Sequence, residues 1–190
     1  HATRTMVAVT DASRRAEVLR VLDRYLVEVV ERYELCPWAR AAREGGELAI
    51  EIVWGAPRLE AWLAAAEALL ARPTTRVAMV VAPELAITPA ELRALRDRVA
   101  ARLPGAGIAE FHPEAPLELA SPARLVPFLR RAPDPLLQLV PLSLLDSVRA
   151  APPVADRARQ AQLLGGLDVT PARDVVARIA AANHRTVSAA

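Results

Sequence analysis

The sequence contains no lysine and only one cysteine, Cys36, among its 190 residues. All 24 basic side chains are therefore arginines, whose guanidinium groups stay charged at physiological pH. A single cysteine excludes an internal disulfide, so we expect a reducing cytoplasm as the location of the protein. Any thiol chemistry in this chain would have to be arranged around Cys36.

Aromatic residues and long apolar runs are also scarce. Aromatics contribute 4% of the chain, so leucine, valine and alanine must fill the core. No run approaches the roughly 18 consecutive apolar residues of a membrane-spanning helix. The first residues lack the apolar centre of a signal peptide. We therefore expect no membrane partner.

Charge of one sign is not concentrated anywhere in the chain. The formal net charge is +2, and acidic residues alternate with arginines along the predicted helices. Without a dense basic cluster, we expect no nucleic-acid partner. The sequence also lacks a His-Glu-x-x-His motif, a Gly-x-Ser-x-Gly elbow and a glycine-rich phosphate loop. These absences exclude the commonest sequence signatures of zinc proteases, α/β-hydrolases and nucleotide-binding enzymes.

What the chain does contain is an alternation of apolar strands and amphipathic helices, which is typical of an α/β fold. Hydrophobic residues make up 53% of the sequence, enough for one domain with a substantial core. Because strands joined by helices run parallel, we predict a small, mainly parallel sheet of three to four strands flanked by helices. The predicted strands cover residues 48–54, 77–82, 108–112 and 136–140.

The predicted organisation has three parts. Residues 1–10 are expected to be a disordered or vector-derived N-terminus, residues 11–164 a single α/β domain, and residues 165–190 a helical C-terminal extension with a tail. The sharpest local signal is the stretch Thr88-Pro89-Ala90-Glu91. Thr88 is predicted to cap a helix that Pro89 opens, with Glu91 completing a capping box.

Cys36 lies between two predicted helices and precedes Pro37, a residue that favours the first turn of a helix. Its sulfur would then lie at a helix N-terminus, where backbone N–H groups and the helix dipole stabilise a thiolate. Three interpretations stay open. Cys36 is a buried packing residue, a reactive thiol, or a ligand of a metal or haem.

His112 follows the third predicted strand and has carboxylates on both sides. Alternation along the strand places Glu110 and His112 on the same face, and Glu114 lies just beyond. Ligands of parallel sheets bind beyond the carboxyl ends of the strands, so this histidine is well placed to act as a general base or a ligand. The alternative is a hydrogen-bonded histidine that closes the strand.

Arg130 and Arg131 precede a proline-stiffened loop that contains Asp134. An arginine held by such a loop can bind a carboxylate or phosphate through two parallel hydrogen bonds. The alternative is a pair of solvated arginines.

These stretches, taken in order, resemble a bacterial family, the domain of unknown function 1415. Members typically have a Leu-Cys-Pro-Phe-Ala segment after a first helix, a Phe-His-Pro strand end, and Asn-Arg-Ser-Pro-Tyr-Pro leading into Leu-His-Leu. The corresponding stretches here are Leu35-Cys36-Pro37-Trp38-Ala39, Phe111-His112-Pro113, Arg130-Arg131-Ala132-Pro133-Asp134-Pro135 and Leu137-Gln138-Leu139.

The resemblance implies that Cys36, His112 and Arg131 belong to one site, without implying a particular reaction. Two positions depart from the family pattern. Gln138 stands where members usually have histidine, and Asp134 where they have tyrosine. The first departure speaks against any role that needs the second histidine, such as a metal site.

The leading hypothesis is an enzyme that acts on a small anionic substrate. Cys36 would be the nucleophile or redox thiol, His112 its base with Glu110 beside it, and Arg131 the anion clamp. Contacts with the substrate would come from Trp38, Glu114, Arg130 and Asp134. No metal ligand set is assigned, and the cofactor and oligomeric state are left open. The alternatives are a haem- or metal-binding protein that uses Cys36 and His112, and a non-catalytic interaction module with Cys36 in its core.

Overall fold

The computed structural model describes residues 2–32, 38–115 and 131–145. The chain forms helix α1 (Ala2–Tyr25), which continues as a π-helix (Leu26–Glu31), and then α2 (Ala39–Glu44). Strands and helices then alternate as β1 (Leu48–Ile52), α3 (Leu59–Leu70), β2 (Val77–Val81), α4 (Pro89–Arg102), β3 (Ala106–Phe111) and β4 (Leu136–Pro141). The predicted C-terminal extension, residues 165–190, lies outside the described residues.

The α/β class and the four strands agree with the sequence prediction, but the prediction of a mainly parallel sheet is wrong. The strand order is β1-β2-β4-β3. Among the described strands only β1 and β2 pair in parallel, whereas β4 pairs antiparallel with both β2 and β3. Strands β2 and β3 run in the same direction, as expected for strands joined by a helix. They do not pair with each other, however, because β4 lies between them and runs antiparallel to both.

The sheet buries both of its faces, and each face has its own core. Strand β2 is buried at all five positions, as its continuous apolar sequence predicts. Val77, Met79 and Val81 pack with α1, the π-helix and α2. Ala78 and Val80 pack with α3 and α4 on the opposite face. The structure is therefore a helix–sheet–helix sandwich with β2 and β4 at its centre.

The first helix includes residues that the sequence assigns to the N-terminal segment. It begins at Ala2, so residues 2–10, for which the sequence suggests a disordered or vector-derived segment, are helical. Its last six residues, Leu26–Glu31, wind as a π-helix, a form that often marks functional sites. No helix in the described part of the chain is long and apolar enough to cross a membrane.

The capping box at the start of α4 is confirmed. The backbone N–H of Glu91 donates to Thr88 Oγ1 at 3.3 Å, and the backbone N–H of Thr88 donates to Glu91 Oε2 at 2.8 Å. Pro89 occupies the first turn, as the sequence predicts. This cap fixes where α4 begins and therefore where the connection from β2 ends.

Candidate functional site

His112 lies directly after β3 and is buried, with 5% of its surface exposed. Its Nε2 lies 2.7 Å from the carbonyl oxygen of Ile87, in the connection between β2 and α4. Its Nδ1 accepts a hydrogen bond of 2.9 Å from the backbone N–H of Glu114. The imidazole therefore joins the end of β3 to the segment that precedes α4.

These two contacts determine the protonation state of the ring. A backbone N–H can only donate, so Nδ1 of His112 must carry the lone pair. Nε2 must then carry the proton and donate it to Ile87. A neutral imidazole held in this way can act as a base only after the bond to Glu114 breaks. The geometry matches the alternative interpretation, a hydrogen-bonded histidine that closes the strand, and the catalytic role stays a prediction.

Glu110 faces helix α4 and not an open cleft. Its Oε1 accepts a hydrogen bond of 3.4 Å from Arg93 Nε. Its Oε2 lies 3.3 Å from Arg96 Nε, without the alignment of a hydrogen bond. His112 also makes its contact on the α4 side of the sheet, so the predicted common face of the two residues is observed. Glu110 pairs with arginines of α4, however, rather than orienting the imidazole.

Arg131 and His112 meet at one corner of the sheet. Arg131 Nε donates a hydrogen bond of 2.6 Å to the carbonyl oxygen of Ala115. The N–H of Ala115 in turn donates to the carbonyl oxygen of His112 at 3.1 Å. Asp134, in the same short loop before β4, is 2% exposed. The structure thus brings His112, Arg131 and Asp134 to the carboxyl edge of β2 and β3. The side chain of Glu114 is exposed there.

Two predicted site residues cannot be placed against this corner. Cys36 and Arg130 lie outside the described residues. Trp38 is half-buried at the start of α2. Helix α2 packs on the face that carries α1, opposite the face on which His112 makes its contact. The described contacts therefore do not join Trp38 to His112. Within the described residues, no group of three or more histidine, cysteine, aspartate or glutamate side chains is arranged to hold a metal ion.

A groove of about 600 Å³ lies beside this corner, between the beginnings of α3 and α4. We call it the α3–α4 groove. The connection from β1 to α3, the connection from β2 to α4, and one face of α4 form its walls. Its apolar lining residues include Leu59, Leu85, Ile87 and Leu95, and its charged ones are Arg58, Glu60, Glu91 and Arg98. We call the corner that contains His112, Arg131 and Asp134 the histidine corner. Ile87 lines the groove, and its carbonyl oxygen contacts His112, so Ile87 connects the groove with the histidine corner.

Sequence reasoning missed this groove, and it also missed the buried carboxylate of Glu31 at the end of the π-helix. Glu31 is 7% exposed and accepts hydrogen bonds from Arg43 at 2.5 and 3.1 Å and from Arg40 at 3.4 Å. The Arg43 guanidinium, with a smaller effect from Arg40, holds the pKa of Glu31 below its ordinary value. The only sequence signal was a glutamate at the end of an apolar helical stripe, which is too common to identify a buried ion pair.

A third cluster ties α1 to the carboxyl edge of the sheet. The guanidinium of Arg14 lies 4.7 Å from the centroid of the Trp54 ring and forms an ion pair with Glu84. Glu84 Oε2 also accepts a hydrogen bond of 2.8 Å from the N–H of Gly55. The buried Nε of Arg14 has no hydrogen-bond partner among the described residues. Because the charges of Arg14 and Glu84 are paired with each other, this cluster is better suited to holding α1 in place than to binding a ligand.

Comparisons of the chain with protein-family models, with curated proteins and with solved structures gave no match. The resemblance to the domain of unknown function 1415 therefore stays a prediction.

Proposed function

We propose that this chain binds a small anionic molecule in the α3–α4 groove. The observation that carries the proposal is that Arg58 and Arg98 line the groove and have no carboxylate partner among the described residues. An arginine without a partner presents all five of its N–H donors, in a geometry that suits a carboxylate or phosphate. Two such groups, one at the residue that precedes α3 and one on α4, make the groove suitable for an anion.

The contrast with the other arginines supports this proposal. Within the described ranges most arginines contact carboxylates: Arg14, Arg15, Arg20, Arg24, Arg40, Arg43, Arg76, Arg93 and Arg96. Arg58, Arg72, Arg98 and Arg102 are exposed and have no such partner there. Only Arg58 and Arg98 of these four line the groove.

The acidic residues of the groove do not cancel this charge. Glu91 is engaged by Thr88 through both its backbone and its side chain, so its carboxylate serves the cap of α4. Glu60 is exposed in the first turn of α3, where a carboxylate suits the helix dipole. Both acidic side chains thus have a role at the start of a helix, and neither neutralises Arg58 or Arg98.

The position of the groove supports the same function. It lies beyond the carboxyl ends of β1 and β2, the one parallel pair among the described strands. Clefts at this edge of α/β sheets are the usual place for ligands. A volume of about 600 Å³ also falls in the ordinary range of small-molecule sites.

Thiol chemistry at Cys36 is a further part of the hypothesis, to be tested separately. A reactive Cys36 paired with His112 would label with iodoacetamide at a midpoint below the free-cysteine pKa of about 8.5. Replacing His112 by alanine would move that midpoint upward. A midpoint that ignores His112 would contradict the pairing. The single cysteine also supports our proposal of a cytoplasmic location.

Titration with inorganic phosphate and with acetate at constant ionic strength tests the anion proposal, with amide chemical shifts as the readout. Arg58→Gln and Arg98→Gln should each weaken binding about fivefold or more, because each removes a charge-assisted contact. The matched controls are Arg72→Gln and Arg102→Gln, which replace exposed, unpaired arginines outside the groove. Equal losses in all four variants, or parent affinities no better than for chloride, would contradict the proposal.

A further inference from the structure

We infer that the ligand of the α3–α4 groove is amphipathic, a single carboxylate or phosphate joined to an apolar body. This inference rests on the anion-binding function proposed above and adds the class of ligand. It comes from the apolar residues that line the groove, Leu59, Leu85, Ile87 and Leu95, which we call its floor.

The floor consists of large apolar side chains that are only half-buried. Leu59, Leu85, Ile87 and Leu95 line the groove, and all four pack against the rim of the core between the sheet and helices α3 and α4. Each has intermediate exposure, so part of its apolar surface meets solvent in the groove. A ligand of inorganic phosphate size would leave that surface wet, whereas an apolar body would cover it.

The length of the floor limits the size of this body. Glu91, Ala94, Leu95 and Arg98 line the groove from one face of α4, as expected for residues three and four apart. Seven residues of α-helix span about 10 Å. An arginine lies at one end of this row, and the cap of α4 occupies the other. The arrangement fits an apolar body of at most about 10 Å with its anionic group near Arg98 or Arg58.

The backbone at Ile87, one of the floor residues, is held in position before any ligand binds. The carbonyl oxygen of Ile87 is fixed by the imidazole of His112 at 2.7 Å, and Thr88, the next residue, caps α4. The backbone is therefore held at Ile87 itself and at the residue that follows it. Preorganised walls of this kind lower the ordering cost of binding.

The test uses the full chain and a graded series of straight-chain carboxylates, from acetate through butanoate to hexanoate, below their aggregation concentrations. Affinity should rise about two- to fourfold for each added CH₂ group, because each one covers further apolar surface. Hexanol serves as the uncharged control, and hexyl phosphate tests the second headgroup. Tighter binding of either anion than of hexanol supports the inference, and the stronger of the two identifies the headgroup.

Two matched variants locate the binding. Ala94→Glu places a carboxylate inside the groove, whereas Ala68→Glu places one on the exposed surface of α3, two turns beyond the residues that line the groove. Hexanoate affinity should fall at least about tenfold in the first variant and stay within about twofold in the second, because like charge repels the ligand only nearby. Equal affinities for acetate and hexanoate in the parent would overturn this inference and leave the anion proposal standing. Hexanol binding as tightly as hexanoate would overturn both.

Discussion

Glu31 and Arg43 form a two-pronged ion pair that joins the π-helix to α2. Arg43 Nε and Nη2 donate to the two oxygens of Glu31 at 2.5 and 3.1 Å, and the Glu31 side chain is only 4% exposed. The pair brackets the segment 33–37, since its two members come from the helices on either side. It therefore holds together the two helices that flank Cys36 in the sequence.

Removing the charge of Glu31 should destabilise the protein at neutral pH. Glu31→Gln loses charge-assisted hydrogen bonds and should lower the free energy of unfolding by about 2 kcal/mol. Because Arg43 lowers the pKa of Glu31 in the folded state, the stabilisation is complete above the unfolded glutamate pKa of about 4.3. It is lost as the pH falls through the lower, folded value.

Urea denaturation at several pH values measures this effect. The difference between the parent and Glu31→Gln should be largest at neutral pH and should shrink in acid. Glu44→Gln is the control, since its carboxylate is 62% exposed and lies 3.7 Å from Arg43. A Glu31 variant as stable as the control at neutral pH would show that the ion pair contributes nothing.

The cap of α4 gives a second prediction. Thr88→Ala removes the side-chain oxygen that accepts from the N–H of Glu91 and should cost about 1 kcal/mol of stability. Thr88→Ser keeps that oxygen and should stay close to the parent in its denaturant midpoint. The backbone N–H of Thr88, the larger cause, and its hydroxyl lower the pKa of Glu91, so this part of the stabilisation also fades in acid. An alanine variant with an unchanged midpoint would mean that the helix does not depend on the box.

The third prediction concerns the tautomer of His112. The proton should be on Nε2 and the lone pair on Nδ1, because Glu114 donates to one nitrogen and Ile87 accepts from the other. Nitrogen-15 chemical shifts of the ring distinguish the two tautomers directly. His112→Ala leaves both backbone groups without this partner and should cost about 3 kcal/mol. A ring protonated on Nδ1 would contradict the geometry.

Two glycines offer a matched pair for the fourth prediction. Gly55 has φ of +69°, and a Cβ there would meet no atom within 4 Å. Gly55→Ala should therefore cost about 1–2 kcal/mol through backbone strain alone. Gly105 has equally open surroundings without a positive φ, so Gly105→Ala should be neutral or slightly stabilising. Thermal melting of the two variants compares them. Equal melting temperatures would show that the Gly55 loop relaxes without cost.

The sequence predicts most elements of this fold because their signals are local. The apolar run of β2 and the Thr88 cap each depend on residues a few positions apart. The alternation along β3 similarly places Glu110 and His112 on one face. These patterns depend on backbone periodicity, which the sequence displays directly.

The features that the sequence does not predict depend on distant residues. Glu31 pairs with Arg43 of the next helix, and Arg14 of α1 pairs with Glu84 of the connection after β2. Neither pairing has a periodic signature. The α3–α4 groove needs two connections to lie side by side, which follows only from the strand order. The position of β4 between β2 and β3 also cannot be predicted from the sequence, since a short apolar strand carries no information about which neighbours it will pair with.

The central position of β4 also has a consequence for the order in which the sheet can form. Strands β2 and β3 are joined by α4, yet each lacks its inner neighbour until residues 136–141 arrive from further along the chain. During synthesis, β1 and β2 can pair early. The edges of β2 and β3 that later pair with β4 remain without a partner strand until β4 has been made. Loop closure over this distance slows assembly. A nascent chain paused before β4 would expose two apolar strand edges, the condition in which chaperone capture or aggregation competes with folding.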